Sequence, residues 1–154
     1  MSPIRLFIDT NVFVEYFEKR RQFESVKLLF NRLEEGIYEG YISGGSFYTI
    51  AYIVDRGFRK KGIHGQERLD CVRLVMKEIL DLVKVINIDN EKLLEGVNDI
   101  TFSDMEDSFQ YQTALYGDCE YIITLNTKDF CASNRQLKVY MPQQFVEEKR
   151  EIPH

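Results

Sequence analysis

The chain of 154 residues holds two histidines, three cysteines, three prolines and nine glycines. His64, in the glycine-flanked "GIHG", and the terminal His154 are its whole imidazole supply. A Ser–His–Asp or Cys–His engine would have to run on His64, and Cys/His zinc sites are as poorly supplied. Cys71, Cys119 and Cys131 form an odd set without CxxC spacing, which predicts reduced, partly buried thiols. So little glycine and proline excludes a disordered chain. No apolar run approaches the roughly 20 residues that span a bilayer. The opening "MSPIRLFIDTN" lacks the apolar stretch of a signal peptide, so the expectation is a cytoplasmic protein without a membrane segment. Positive charge is also short: the net charge is −5. That excludes sequence-independent binding to duplex DNA over a broad basic face, though not a local basic rim around an acidic centre.

Hydrophobic residues make up 44% and aromatics 13%, enough for a core without disulfides. The length suits one compact domain, 1–154. No linker, repeat or low-complexity segment interrupts it. Residues 4–9 read as a buried strand running into a helix, and Phe23, Val26, Phe30, Leu33 and Ile37 keep helical spacing. Gly36 and Gly40 bracket a turn before a strand at 40–43, and Ser46 is the expected cap of the next helix. Leu69, Val72, Met76, Ile79, Leu80 and Val83 form the clearest helical stripe. A strand at 83–88, a short helix at 90–98 and an apolar-patterned helix from Asp104 to about Tyr116 follow. Strands at 120–126 and 137–141 and a final helix opened by Pro142 complete the series. Alternating strands and helices predict a parallel sheet covered on both faces, with ligands at the carboxyl ends of its strands. That places Asp9, Asp104, Asp107, Asn126 and Asp129 at one edge.

Carboxylates are therefore the agents of any chemistry. "TFSDMEDSFQYQTAL" (101–115) gathers Asp104, Glu106 and Asp107 into one turn. Capping accounts for part of this: Ser103 and Glu106 have capping-box spacing, and Asp104 complements the helix dipole. Capping explains Asp107 poorly, because that residue lies past the unsatisfied amides. Asp9 in "DTN", and Asn126 with Asp129 in "TLNTKDF", read individually as turn residues. Two carboxylates about 4 Å apart repel by roughly 4 kcal/mol at an effective dielectric near 20, and a cation removes that repulsion.

"LFIDTNVFVEYF", "DMEDSFQYQTAL", "YIITLNTKDF" and "VYMPQQF" resemble, in that order, the PIN domains of VapC-like toxins and related nucleases, in the branch with a DxxD third motif. The resemblance implies a three-layer α/β/α sandwich around a parallel sheet of about five strands. It implies an endoribonuclease whose acidic cluster holds Mg²⁺ or Mn²⁺. By the resemblance, Asp9 matches the first metal ligand, Asp107 the acid opening the third motif, Asp104 the extra acid and Asp129 the acid of "NxxDF". Asn11 supports the first acid, and Asn126 falls where other members carry an acid or Asn. Thr49 stands where the family usually has Glu, so looser metal binding, or a different use of Glu15, is expected. The implied partners are single-stranded or structured RNA, an antitoxin protein and a second copy in a homodimer.

The basic run "DRGFRKKGIHG" (55–65) offers Arg56, Arg59, Lys60 and Lys61 as an RNA backbone clamp, with Phe58 to stack a base. Its plainer reading is a solvated helix end. "EKRRQ" (18–22) is a weaker patch. Two further function classes stay open: a degenerate PIN domain that binds RNA or protein without cutting, and an aspartyl-phosphate receiver or phosphatase on Asp9. Asn11 argues against the latter, since a phosphatase would carry a second Asp there.

Overall fold

A computed structural model describes residues 2–130 and 136–149. Five strands alternate with helices: β1 (Ile4–Ile8), α1 (Thr10–Phe17), α2 (Phe23–Glu34), β2 (Tyr38–Ser43), α3 (Gly44–Lys60), α4 (Gly65–Leu82), β3 (Val83–Ile86), α5 (Asn90–Asn98), α6 (Met105–Tyr116), β4 (Tyr121–Ile123), β5 (Lys138–Tyr140) and α7 (Pro142–Glu148), with a 3-10 turn at Thr127–Phe130. All strand pairs are parallel, in the order β3-β2-β1-β4-β5. The expected three-layer α/β/α sandwich is what forms.

β1 shows how the layers arise. Its side chains alternate, so Leu6 and Ile8 enter one core and Phe7 enters the other. The first core packs the sheet against α1 to α4 and α7, through Phe13, Leu29, Ile50, Val72 and Phe145 among others. The second packs it against α6 and the 3-10 turn, through Tyr111, Ala114 and Phe130. Each such side chain, fully buried, contributes roughly 1.5–3 kcal/mol.

Several sequence expectations need correction. Gly36, at φ +76°, makes the turn before β2, whereas Gly40 lies inside that strand. A Cβ at Gly40 would meet Val83 Cγ1 at 2.9 Å, so glycine there lets β2 pack closely. Ile37 falls beyond the end of α2. Leu69 and Leu80, placed on the apolar stripe of α4, are 42% and 51% exposed. Ser43, not Ser46, caps α3: Ser43 is extended and its Oγ accepts the Ser46 N–H at 3.0 Å. Gly44 and Gly45 are already helical, so the helix starts ahead of Ser46.

Cys71 is a half-buried free thiol, and burial pushes the free Cys119 thiol up to about 12. Cys131 and His154 lie outside the described residues. Among the described residues, no helix is long and apolar enough to cross a membrane.

Candidate metal centre

The strand order reverses direction between β1 and β4, and such a switch point opens a crevice at the strands' carboxyl ends. Asp9 follows the last residue of β1 there, and its N–H bonds Ile123 O at the end of β4. Asp9 is only 5% exposed. Its Oδ1 accepts from Gln110 Nε2 at 2.9 Å and its Oδ2 from Thr124 Oγ1 at 2.7 Å. Burial raises the Asp9 carboxyl above its ordinary range, and these two donors partly offset the rise.

Thr124 joins the two turn motifs. Its hydroxyl donates to Asp9 and accepts from Asn11 Nδ2 (3.3 Å) and from the Asn126 N–H (3.1 Å). One donor and two acceptors exhaust a hydroxyl. Asn11 uses both ends of its amide, since its Oδ1 accepts the Leu125 N–H at 3.2 Å. Asn126 Nδ2 donates to Asp129 Oδ2, which fixes that carboxylate on the 3-10 turn. "DTN" and "T-x-N-x-x-D" are thus two halves of one hydrogen-bonded junction.

α6 brings the remaining acids. Asp104 is its N-cap, accepting the Asp107 N–H at 3.1 Å, so the expected Ser103–Glu106 capping box does not form. The short Asp side chain reaches the amide, and Glu106 turns away to accept from Thr10 Oγ1 at 3.3 Å. Asp107 is raised from 3.8 to about 7, first by burial, then by the charges of Asp9 and Asp104 and by a hydrogen bond and charge from Asp129. Glu106 is raised as well, chiefly by burial and then, against the Thr10 bond, by Asp9 and Asp104. The four predicted acids therefore act on one another, and Glu106, read from sequence as a capping residue, belongs with them.

α6 also departs from its apolar reading. Its buried residues include Ser108, Gln110, Gln112 and Thr113. Ser108 Oγ donates to Gly96 O at 2.7 Å, which ties α6 to α5. Gln110, 2% exposed, gives its NH₂ to Asp9 and leaves Oε1 buried without a partner among the described residues. Gln110 and Thr124 were missed in the sequence. The available signal was a run of Ser, Gln and Thr on a helix wedged between strands.

Thr49 does not reach the acids: its hydroxyl donates to Gly45 O at 3.1 Å within α3. It lines a cavity of about 460 Å³ with Ser46, Glu106 and Gln110. Glu15 is buried apart from the cluster, where it accepts the Gln22 N–H.

Among the described residues, no group of three or more His, Cys, Asp or Glu side chains is placed to hold a metal ion. Asp9 turns both oxygens to protein donors, and Asp104 gives one to its helix cap. The donor set nonetheless fits a hard cation. It is all oxygen, and Mg²⁺ needs only one or two carboxylates with water and substrate phosphate.

The two basic runs meet away from the acids. Lys19, Arg20, Arg56, Lys60 and Lys61 rim a groove of about 750 Å³ floored by Val14, Phe17, Ile53 and Phe58. Helix rise puts its α3 side about 13–25 Å from the start of that helix. Arg59 pairs with Asp55 at 3.0 Å, and Asp55 also takes Arg68 at 2.9 Å. Phe58 packs partly on the main core under Lys61 Nζ, 5.9 Å from its ring centre. Arg56 lies over Tyr52.

A family model described as PIN domain matches residues 5–128. The chain is 24% identical over 156 residues to "Ribonuclease VapC1" of Aquifex aeolicus (strain VF5), covering 96% of both. Solved structures share the fold. VapBC2 from Rickettsia felis, bound to a promoter DNA fragment, has a TM-score of 0.63 at 13% identity, covering 90% of this chain and 98% of that one. A toxin–antitoxin complex from Klebsiella pneumoniae has a TM-score of 0.59 at 22% identity, covering 89% and 97%. VapC20 from Mycobacterium tuberculosis, a sarcin-ricin loop cleaving toxin, has a TM-score of 0.54 at 9% identity, covering 76% and 86%. With four acids at the switch point of its parallel sheet and a family match across most of its length, the chain belongs to the PIN domain family.

Proposed function

We propose that this chain, a single PIN domain over 1–154, is a divalent-metal-dependent endoribonuclease acting in the cytoplasm, and the toxin of a toxin–antitoxin pair. The observation that carries the reading is Asp107: a half-buried carboxyl driven to about 7 by burial and by Asp9, Asp104 and Asp129. A cluster held in such repulsion favours a positive ion. The name of the Aquifex relative and the toxin complexes among the structural relatives support the ribonuclease and antitoxin parts.

Asp9 and Asp107 hold the ion, Mg²⁺ or Mn²⁺. When bound, it supplies charge neutralisation and Lewis-acid polarisation of the scissile phosphate. Gln110 and Thr124 keep the Asp9 carboxylate oriented before substrate arrives. Asp129, steadied by Asn126 and through it by Asn11 and Thr124, orients the attacking water or a second ion. Asp104 has given one oxygen to its helix cap and keeps one for the same task. Arg56, Lys60 and Lys61 hold the RNA backbone along the groove, while Arg59 steadies the helix end through Asp55. Leu94, Val97 and Ile100, at 57%, 54% and 95% exposure, offer an apolar face to a second copy. Light scattering decides that point.

End-labelled RNA incubated with the protein and Mn²⁺ should be cut internally. EDTA or Asp9→Asn should stop it. A second reading, RNA or protein binding without cleavage, draws on Thr49 and on the lack of a preformed three-residue metal cage among the described residues. Retained RNA binding with no metal-stimulated cutting would select it.

A further inference from the structure

We infer that Glu106, on α6, supplies the carboxylate that this chain lacks at position 49 on α3. The inference rests on the reading of the acidic cluster as a divalent-metal site, and adds a residue to it.

Three observations meet at one wall of the 460 Å³ cavity. First, a hydroxyl chain crosses from α3 to α6. Thr10 Oγ1 gives its proton to Glu106 Oε1 at 3.3 Å, and a hydroxyl has one proton to give. The 2.5 Å contact between Thr10 Oγ1 and Ser46 Oγ must then be donated by Ser46. Ser46 is 2% exposed and lies one turn from Thr49 on α3. The Glu106 carboxylate is thus held opposite the α3 face from which a residue 49 acid would project. Second, Thr10 directly follows Asp9, so the bond that orients Glu106 is made by the residue beside the buried acid. Third, Gln110 lies one helical turn on from Glu106 and lines the same cavity. Its Nε2 is spent on Asp9, and its Oε1 is buried with no partner among the described residues. An orphaned oxygen acceptor on an amide that already holds Asp9, one turn from Glu106, matches the donors of a cation's hydration shell. The competing account, helix-dipole complementation by Glu106 in the first turn of α6, explains neither the Thr10 bond nor the orphaned amide.

Mn²⁺ binding, followed by calorimetry and by the loss of the free-ion electron paramagnetic resonance signal, tests this without reference to RNA. The proteins are wild type, Glu106→Gln, Thr49→Glu and the double variant. Glu106→Gln should weaken Mn²⁺ binding by about ten-fold or more, and adding Thr49→Glu should restore most of it. In EDTA the Glu106→Gln melting temperature should be no lower than that of wild type, since a charge leaves the repelling cluster. Unchanged Mn²⁺ affinity in Glu106→Gln, or a double variant no tighter than the single one, overturns the inference. Loss of stability in EDTA with Mn²⁺ affinity intact assigns Glu106 to the helix end and overturns it too. A wild type that binds no Mn²⁺ overturns the metal reading itself, a result distinct from the others.

Discussion

The Thr124 hydroxyl donates to Asp9 Oδ2 across 2.7 Å and 115 residues of chain. This one bond fastens the end of β4 to the end of β1 and spends its proton on a buried carboxylate. Thr124→Val keeps the shape and removes the donor. It should cost about 1–3 kcal/mol at a pH where the Asp9 carboxylate is ionised. At about pH 3, where Asp is protonated in both folded and unfolded chains, the loss should shrink. Urea unfolding at the two pH values measures both. Equal losses would mean that Thr124 acts through packing and its bonds to Asn11 and Asn126, not through the Asp9 charge.

Without metal, the acidic cluster makes the fold sensitive to pH in one direction. The folded Asp107 carboxyl titrates at about 7, above its ordinary 3.8. Its contribution to stability is complete below the unfolded value. It is lost as pH rises from there through about 7, because the unfolded chain releases its proton first. Asp9 and Glu106 are shifted in the same sense. Stability in EDTA should therefore fall between the ordinary carboxylate range and neutrality, then level off. Asp107→Asn should flatten most of that slope. A wild-type stability that climbs over this interval would contradict the geometry.

Asp107→Asn also separates ion binding from helix-end electrostatics. The amide keeps the shape and loses the charge, so Mn²⁺-dependent RNA cleavage should disappear. In EDTA the variant should be as stable as wild type or more so, since repulsion is relieved. Mn²⁺ should raise the melting temperature of the wild type and leave the variant nearly unmoved. Equal increases in both proteins would remove Asp107 from the ligand set.

The groove residues should divide by their ion pairs. Lys60→Ala and Lys61→Ala should weaken single-stranded RNA binding, each lowering the salt slope by about 0.7. Arg59→Ala should change RNA affinity little and cost some stability, because its guanidinium is committed to Asp55. Filter binding across a salt series distinguishes them. An Arg59 effect equal to that of Lys60 would place the pair with Asp55 second to RNA.

The sheet was legible because its strands are short apolar runs separated by helices, and burial on both faces demands that pattern. Asp9 was legible for the same reason: it stands where an apolar strand stops and a helix begins. The junction behind it was not. Thr124 sits in "TLNT", where a hydroxyl reads as a turn residue, and only its 0% exposure shows that it is a buried donor. Gln110 hid because helical periodicity reports which face is buried, not whether that face is polar. Glu106 was assigned to a cap because sequence spacing cannot show which of two neighbouring acids bends back to the amide. Asp104 does so with the shorter side chain. The two basic runs, 18–22 and 55–61, looked unrelated until the ends of α1 and α3 were seen to share one groove.

β1 is the middle strand of the five, flanked by β2 and by β4. During synthesis the first of these neighbours follows β1 within about forty residues, while the second emerges after residue 120. Until then β1 is an edge strand and Asp9 lacks the Thr124 hydroxyl. A ribosome-bound chain stalled before Tyr121 carries Asp9, Asp104 and Asp107 but lacks Thr124 and Asp129, which protease sensitivity of stalled chains on either side of β4 would register. The order of the strands thus leaves the hydrogen-bonded junction behind Asp9 to be completed by the last part of the chain.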